Sequence, residues 1–155
     1  MLGDRIDLAE EIIERCAVLF ENYFGYHWIL GYYHMYHEDY NAAIISFNRS
    51  QDLSPAITSI ERQIMFCKGK LGDRAQVESY IKSQTGHDAE TYVNLASAYS
   101  GLDDSEKTIK YLKLLAEFGH SAPSEVHNVK FRQILLEEND PQLLNELTQL
   151  STSVH

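Results

Sequence analysis

Residues 24–57 read FGYHWILGYYHMYHEDYNAAIISFNRSQDLSPAI, and they describe two helices folded back on each other. The first is expected from about Gly25 to His37. Side chains three and four positions apart share a side of a helix, so Leu30, Gly31 and His34 face its partner. Gly31 lets that partner come close. The second helix is expected from about Tyr40 to Leu53, where Ala43, Ile44, Phe47 and Ser50 fall at helical spacing and Ser54-Pro55 is a stop signal.

The same reading extends in both directions. Upstream, Leu8, Ala9, Ile12, Ile13, Cys16, Ala17, Leu19 and Phe20 mark an amphipathic helix over residues 6–22, with Asp7, Glu10 and Glu11 in its first turns. Ala9 and Ile13 lie 34 residues before Ala43 and Phe47, so this helix matches the second member of a pair whose first member is missing. It is either a lone N-terminal cap or a sign that the chain is a fragment.

Downstream, Ile57, Ile60, Ile64, Cys67 and Leu71 form one apolar stripe, Gly72-Asp73 marks a turn, and Val77 and Ile81 keep the 34-residue phase, giving a degenerate unit over 57–84. Ser83 to Asp88 is a polar loop in which Asp88 is placed to cap a helix. A third unit over 88–119 carries Tyr92, Leu95, Ala96 and Tyr99 on its first helix and Ile109, Leu112, Leu115 and Ala116 on its second, closed by Gly119. Two further helices over 122–150, one ending near Glu138 and one after Asp140-Pro141, are expected to cap the array. The fold class is all-α, in a single domain over residues 1–155.

The spacing of Leu30-Gly31, Ala43, Phe47 and Pro55 resembles the tetratricopeptide pattern of L-G, A-x3-F and P. The pattern's Trp falls on His27, with Trp28 one residue late, and its Tyr after L-G is His34. Leu95-Ala96 followed by Tyr99 matches L-G-x2-Y. The resemblance implies a right-handed α-solenoid of about three tetratricopeptide-like hairpins, preceded by one helix and closed by two, which binds other proteins in its concave groove. VKFRQILLEE at residues 129–138 resembles closing segments of repeat arrays in bacterial signalling proteins and winged-helix transcription regulators. That implies an alternative: the sensory or oligomerisation segment of a larger bacterial regulator.

Composition narrows the function further. With 155 residues and a net charge of −10, the chain lacks the clustered Lys and Arg that neutralise phosphates, which argues against nucleic acid as a partner. Three prolines, eight glycines and 44% apolar residues describe a soluble helical globule, and the apolar runs are too short to span a bilayer. The charged start MLGDRIDLAEE does not read as a signal peptide, which points to the cytoplasm. Cys16 and Cys67 sit among apolar residues at helical spacing and are expected to stay as thiols. No phosphate-loop, dinucleotide, nucleophile-elbow or C-x-x-C motif occurs, so no catalytic residue and no cofactor is expected.

Trp28, Tyr32, Met35 and Tyr36 share a helix face well away from Gly31 and His34, and the resemblance makes that face the lining of the groove, with Val93 and Ser97 at groove positions of the third unit. Rings and a thioether there suit a peptide or partner with apolar or aromatic anchors. The alternatives are rings that only pack on a neighbouring helix, and the seam of a homodimer. His34, His37 and Glu38 are close in sequence, but His34 is expected to be a packed histidine rather than a metal ligand. The Lys, Arg and Asn set with which some tetratricopeptide proteins hold acidic C-termini is absent, with Asn94 its only candidate member.

Overall fold

The structure is a computed structural model that describes residues 2–118, with side chains from Glu10 onward, together with Gln142 and Asn145. Its described residues form α1 (Leu2–Leu19), α2 (Phe24–Tyr36), α3 (Tyr40–Leu53), α4 (Ser59–Lys70), α5 (Arg74–Ser83), α6 (Ala89–Gly101) and α7 (Ser105–Ala116), with no strand among them. The fold is an all-α helical repeat. Gly119 and the closing helices expected over 122–150 lie outside the described residues, apart from Gln142 and Asn145, which are helical and exposed. None of the described helices is long and apolar enough to cross a membrane.

One turn, used three times, ends the first helix of each pair and starts the second. After α2 the Glu38 N–H donates to the Met35 carbonyl and the Asp39 N–H to the His34 carbonyl, at 3.1 and 2.9 Å. After α4, Gly72 and Asp73 donate to Gly69 and Lys68 at 3.0 and 2.9 Å, and after α6, Asp103 and Asp104 donate to Ser100 and Tyr99 at 3.2 and 3.0 Å. These bonds satisfy the last carbonyls of the helix and require left-handed backbone, supplied by Glu38 (φ 60°), Gly72 (φ 85°) and Asp103 (φ 57°). The Asp that follows each of them then caps the next helix. Asp39, Asp73 and Asp104 accept from the N–H groups of Ala42, Gln76 and Lys107 at 3.1, 3.3 and 3.1 Å.

The chain divides into two compact units, residues 1–67 and 68–155. In the first, α2 and α3 pair closely. A Cβ added at Gly31 would stand 2.5 Å from the Phe47 ring, so only glycine admits that ring against the α2 backbone. Phe47 is fully buried, and Ser50 Oγ donates to the Phe24 carbonyl at 2.8 Å. Met35, Ala43, Phe47, Ile60, Ile64, Phe66 and Cys67 form one core. α1 meets α2 through Tyr33, whose hydroxyl donates to Glu10 Oε1 at 2.6 Å.

In the second unit Ala89, Val93, Ala96, Leu112 and Leu115 form the core between α6 and α7. Tyr99 and Tyr111 stack above it at 5.6 Å and 4°, with Lys107 Nζ 4.9 Å from the Tyr99 ring centre. Gly69 and Gly101 touch backbone to backbone: a Cβ on Gly69 would lie 2.6 Å from the Gly101 carbonyl carbon. The Lys70–Asp103 ion pair and the Lys68–Gln76 hydrogen bond flank this contact.

Candidate functional site

The face expected to bind a partner is set by α2. That helix has no side-chain cap, since Tyr23 at its start makes no capping bond; an aromatic lattice holds it instead. Trp28 meets Tyr32 edge-on at 5.2 Å, and Tyr32 meets Phe47 edge-on at 5.4 Å. Both rings are half-buried against the core that holds Ile60 and Ile64. This corrects the expectation that Trp28 and Tyr32 stand clear of the contact within the hairpin. The Tyr32 ring touches α3, because it lies on the flank of α2 nearest Phe47. Trp28 Nε1 is buried and meets no hydrogen-bond acceptor among the described residues.

The other expected lining residues divide sharply. Met35 and Val93 are 5% and 0% exposed and belong to the cores of their units, and Ser97 is 4% exposed. They form the floor of their helices rather than a contact surface, since α2 and α6 both bury more than the stripe that faces their hairpin partners. Tyr36 alone of the six is open, at 55%. It projects from the last turn of α2, edge-on to His37 at 5.4 Å, and His37 lies 4.5 Å from Tyr33. Ile29, one helical repeat of seven residues earlier, is also exposed.

His34 is half-buried rather than a core residue, with its ring 5.5 Å from that of Tyr33. His37 and Glu38 are exposed in the turn, and no group of three metal-binding side chains occurs among the described residues. The Glu10 acceptor and burial raise the Tyr33 hydroxyl pKa, so that phenol stays protonated and donating throughout the neutral range. Asn94 donates to Gln84 Oε1 at 3.0 Å, a bond between α6 and the residue that ends α5.

On the second unit the sequence of hydrogen bonds and buried positions is that of a helical hairpin with Leu95-Ala96 and Tyr99 in the signature places, and the tetratricopeptide repeat family matches residues 89–118. The chain carries a tetratricopeptide repeat. This repeat comprises α6, α7 and the two residues after them. Neither a curated protein nor a solved structure matches the chain. The Gly69–Gly101 approach is a feature of the second unit that the sequence pattern had not singled out, although Gly101 ends the first helix of the matched repeat.

Proposed function

We propose that this protein is a non-enzymatic binding module that holds a protein or peptide partner through the outer face of α2. The exposed Tyr36, backed by the half-buried Trp28 and Tyr32, is the observation that carries the reading. A tetratricopeptide repeat is a protein-interaction element, and its presence at residues 89–118 supports the class. Rings held in a packed lattice lose little freedom when a partner covers them, which favours tight contact for a small area. The aromatic surface selects a partner with apolar or aromatic anchors, and the net charge of −10 disfavours nucleic acid.

A photoreactive phenylalanine analogue placed at Tyr36 tests this in native cytosol, with the same analogue at exposed Glu61 as control. A discrete adduct at position 36 that Glu61 does not give, and a loss of binding of tenfold or more in Tyr36→Ala with unchanged helicity, is the expected result. Equal labelling at both positions sinks the reading.

A further inference from the structure

The turn that joins α1 to α2 is repeated 34 residues later between α3 and α4, bond for bond. Phe20, Tyr23 and Tyr26 donate their backbone N–H groups to the carbonyls of Cys16, Phe20 and Tyr23 at 2.9, 2.9 and 3.1 Å. Ser54, Ile57 and Ile60 donate to those of Ser50, Ser54 and Ile57 at 3.0, 3.3 and 3.5 Å. α1 is therefore built as the second helix of a hairpin, as α3 is. On α3, Ser46, Phe47 and Ser50 are 5%, 0% and 0% exposed because α2 lies on them, with Gly31 against Phe47 and the Phe24 carbonyl accepting from Ser50. Their counterparts on α1 are Ile12, Ile13 and Cys16: Ile12 is 50% exposed and the other two are only half-buried. Leu19 is 77% exposed where its counterpart Leu53 is half-buried, and Ile29 on α2 is open where its counterpart Gln63 on α4 is sealed. Within the first unit no described helix lies along α1 as α2 lies along α3.

We infer that a partner protein supplies the missing first helix: a basic, amphipathic helix that lies antiparallel along α1 with a small side chain against Ile13. The two complete hairpins define that side chain. Gly31 meets Phe47, and Ala96 shares a core with Leu112. Isoleucine has the volume of leucine, so a residue of alanine size fits opposite Ile13. Both covering helices carry that residue directly after a leucine, as Leu30-Gly31 and Leu95-Ala96. Residues 119–155 contain no Leu-Gly or Leu-Ala pair, so the rest of this chain does not provide the helix. A second copy does not provide it either, since its α2 and α6 are already packed in their own hairpins. The charge of the occupant follows from the rim. Glu11, Glu14 and Glu21 are exposed beside the seat, and the one base among the described side chains of α1, Arg15, is paired with Glu11 at 3.4 Å. Lysine and arginine on the incoming helix complement that rim.

The probe is a synthetic peptide with the sequence of residues 88–102, which contains Leu95-Ala96, carrying Glu90→Lys and Asn94→Lys on the side of the helix away from Ala96. The readout is the rate at which Cys16 of the full chain reacts with a maleimide, because a helix seated as α2 is on α3 covers Cys16 as it covers Ser50. Cys67 does not compete, being fully buried with its thiol pushed up to about 12 by burial. The expected result is a saturable slowing of about tenfold that needs about tenfold more peptide in Ile12→Glu or Leu19→Glu chains. Leu19 is itself exposed, so Leu19→Glu serves if Ile12→Glu fails to fold. Val18→Glu changes nothing, since Val18 is 87% exposed and its counterpart on α3, Asp52, is exposed too. The peptide with Ala96→Phe gives no slowing, and the peptide without the two lysines gives less. No slowing with the lysine peptide, or equal slowing with its Ala96→Phe form, overturns the inference. So does a Cys16 already unreactive without peptide, which assigns the seat to this chain, or one whose rate falls as the protein alone is concentrated, which assigns it to a second copy. Photolabelling at position 36 reports on α2 and this rate on α1, so the two readings fail independently.

Discussion

The α2–α3 and α6–α7 hairpins turn alike but fill the space between their helices in opposite ways. In the first, the smallest residue meets a large ring, Gly31 against Phe47. In the second, counting from the shared turn, the same two places hold Ala96 and Leu112, both fully buried in one core. One side chain grows as the other shrinks. The repeat therefore fixes the combined volume at the crossing rather than either residue, as dense packing in a protein interior requires. The surfaces differ as well, since α2 leaves Ile29 and Tyr36 open whereas α6 buries nine of its thirteen residues.

The sharpest way to break this comparison is at Phe47. Phe47→Ala removes a fully buried ring beside a glycine that cannot fill the space, and should cost about 3–5 kcal/mol, read by denaturant unfolding. Gly31→Leu overpacks the same crossing and should cost about 1–3 kcal/mol. The pair Gly31→Ala with Phe47→Leu converts the first crossing into the second. It should be more stable than Gly31→Ala alone, whose Cβ has the Phe47 ring 2.5 Å away. A double variant no better than the single one would show that the crossing distances of the hairpins differ and that volume does not trade between these positions.

Much of this was legible in the sequence. Gly31 and Phe47 were readable because the helical period puts both on facing sides, and Gly72-Asp73 and Asp88 because turn and cap chemistry is local. α2 was expected from Gly25 to His37 and runs from Phe24 to Tyr36. The candidate site was less legible for a physical reason: the period shows which residues share a side, not what lies over that side. Trp28 and Tyr32 do share a face with Tyr36, but the core that contains Ile60 and Ile64 from α4 packs against them, and Met35 lies beneath. Ser97 and Val93 have the same fate on α6. The Gly69–Gly101 contact joins residues of different helices, and neither glycine falls on a signature position; a small residue near the end of both α4 and α6 was the available signal.

The caps give the next effect in size. Asp104 differs from its counterpart Asp39 in that Lys107 donates to it twice, from its backbone at 3.1 Å and from Nζ at 2.8 Å. The Lys107 side-chain bond, ahead of the backbone bond, holds the Asp104 carboxyl below its ordinary pKa. A carboxyl whose pKa is lower folded than unfolded adds stability above its unfolded value of about 4, and that stability is lost as the pH falls through the folded value. Asp104→Ala should cost about 1 kcal/mol at neutral pH. The deficit should shrink below pH 4, while Lys107→Met, which keeps the backbone bond, should reproduce only part of it. A deficit that does not change with pH would show that the carboxylate charge is not what caps α7.

The smallest effect concerns the left-handed residue of each turn, where the sequence uses Glu38, Gly72 and Asp103 in one conformation. A side chain with a Cβ bears a cost of about 1–2 kcal/mol there. Replacing it with glycine returns part of that as lost order in the unfolded chain, about 0.5–1 kcal/mol. Glu38→Gly should therefore stabilise the protein by roughly 0.5 kcal/mol, a rise in melting temperature of about a degree or two for a domain of this length. Asp103→Gly should gain less or lose, because aspartate tolerates this backbone better than glutamate and Asp103 also pairs with Lys70. Gly72→Ala should be destabilising even though a Cβ there meets nothing within 4 Å, since the strain is in the backbone and not in a contact. Thermal melts of the three single variants decide between the two causes. If Asp103→Gly gains as much as Glu38→Gly, neither the aspartate's better tolerance of this backbone nor the Asp103–Lys70 pair contributes measurably.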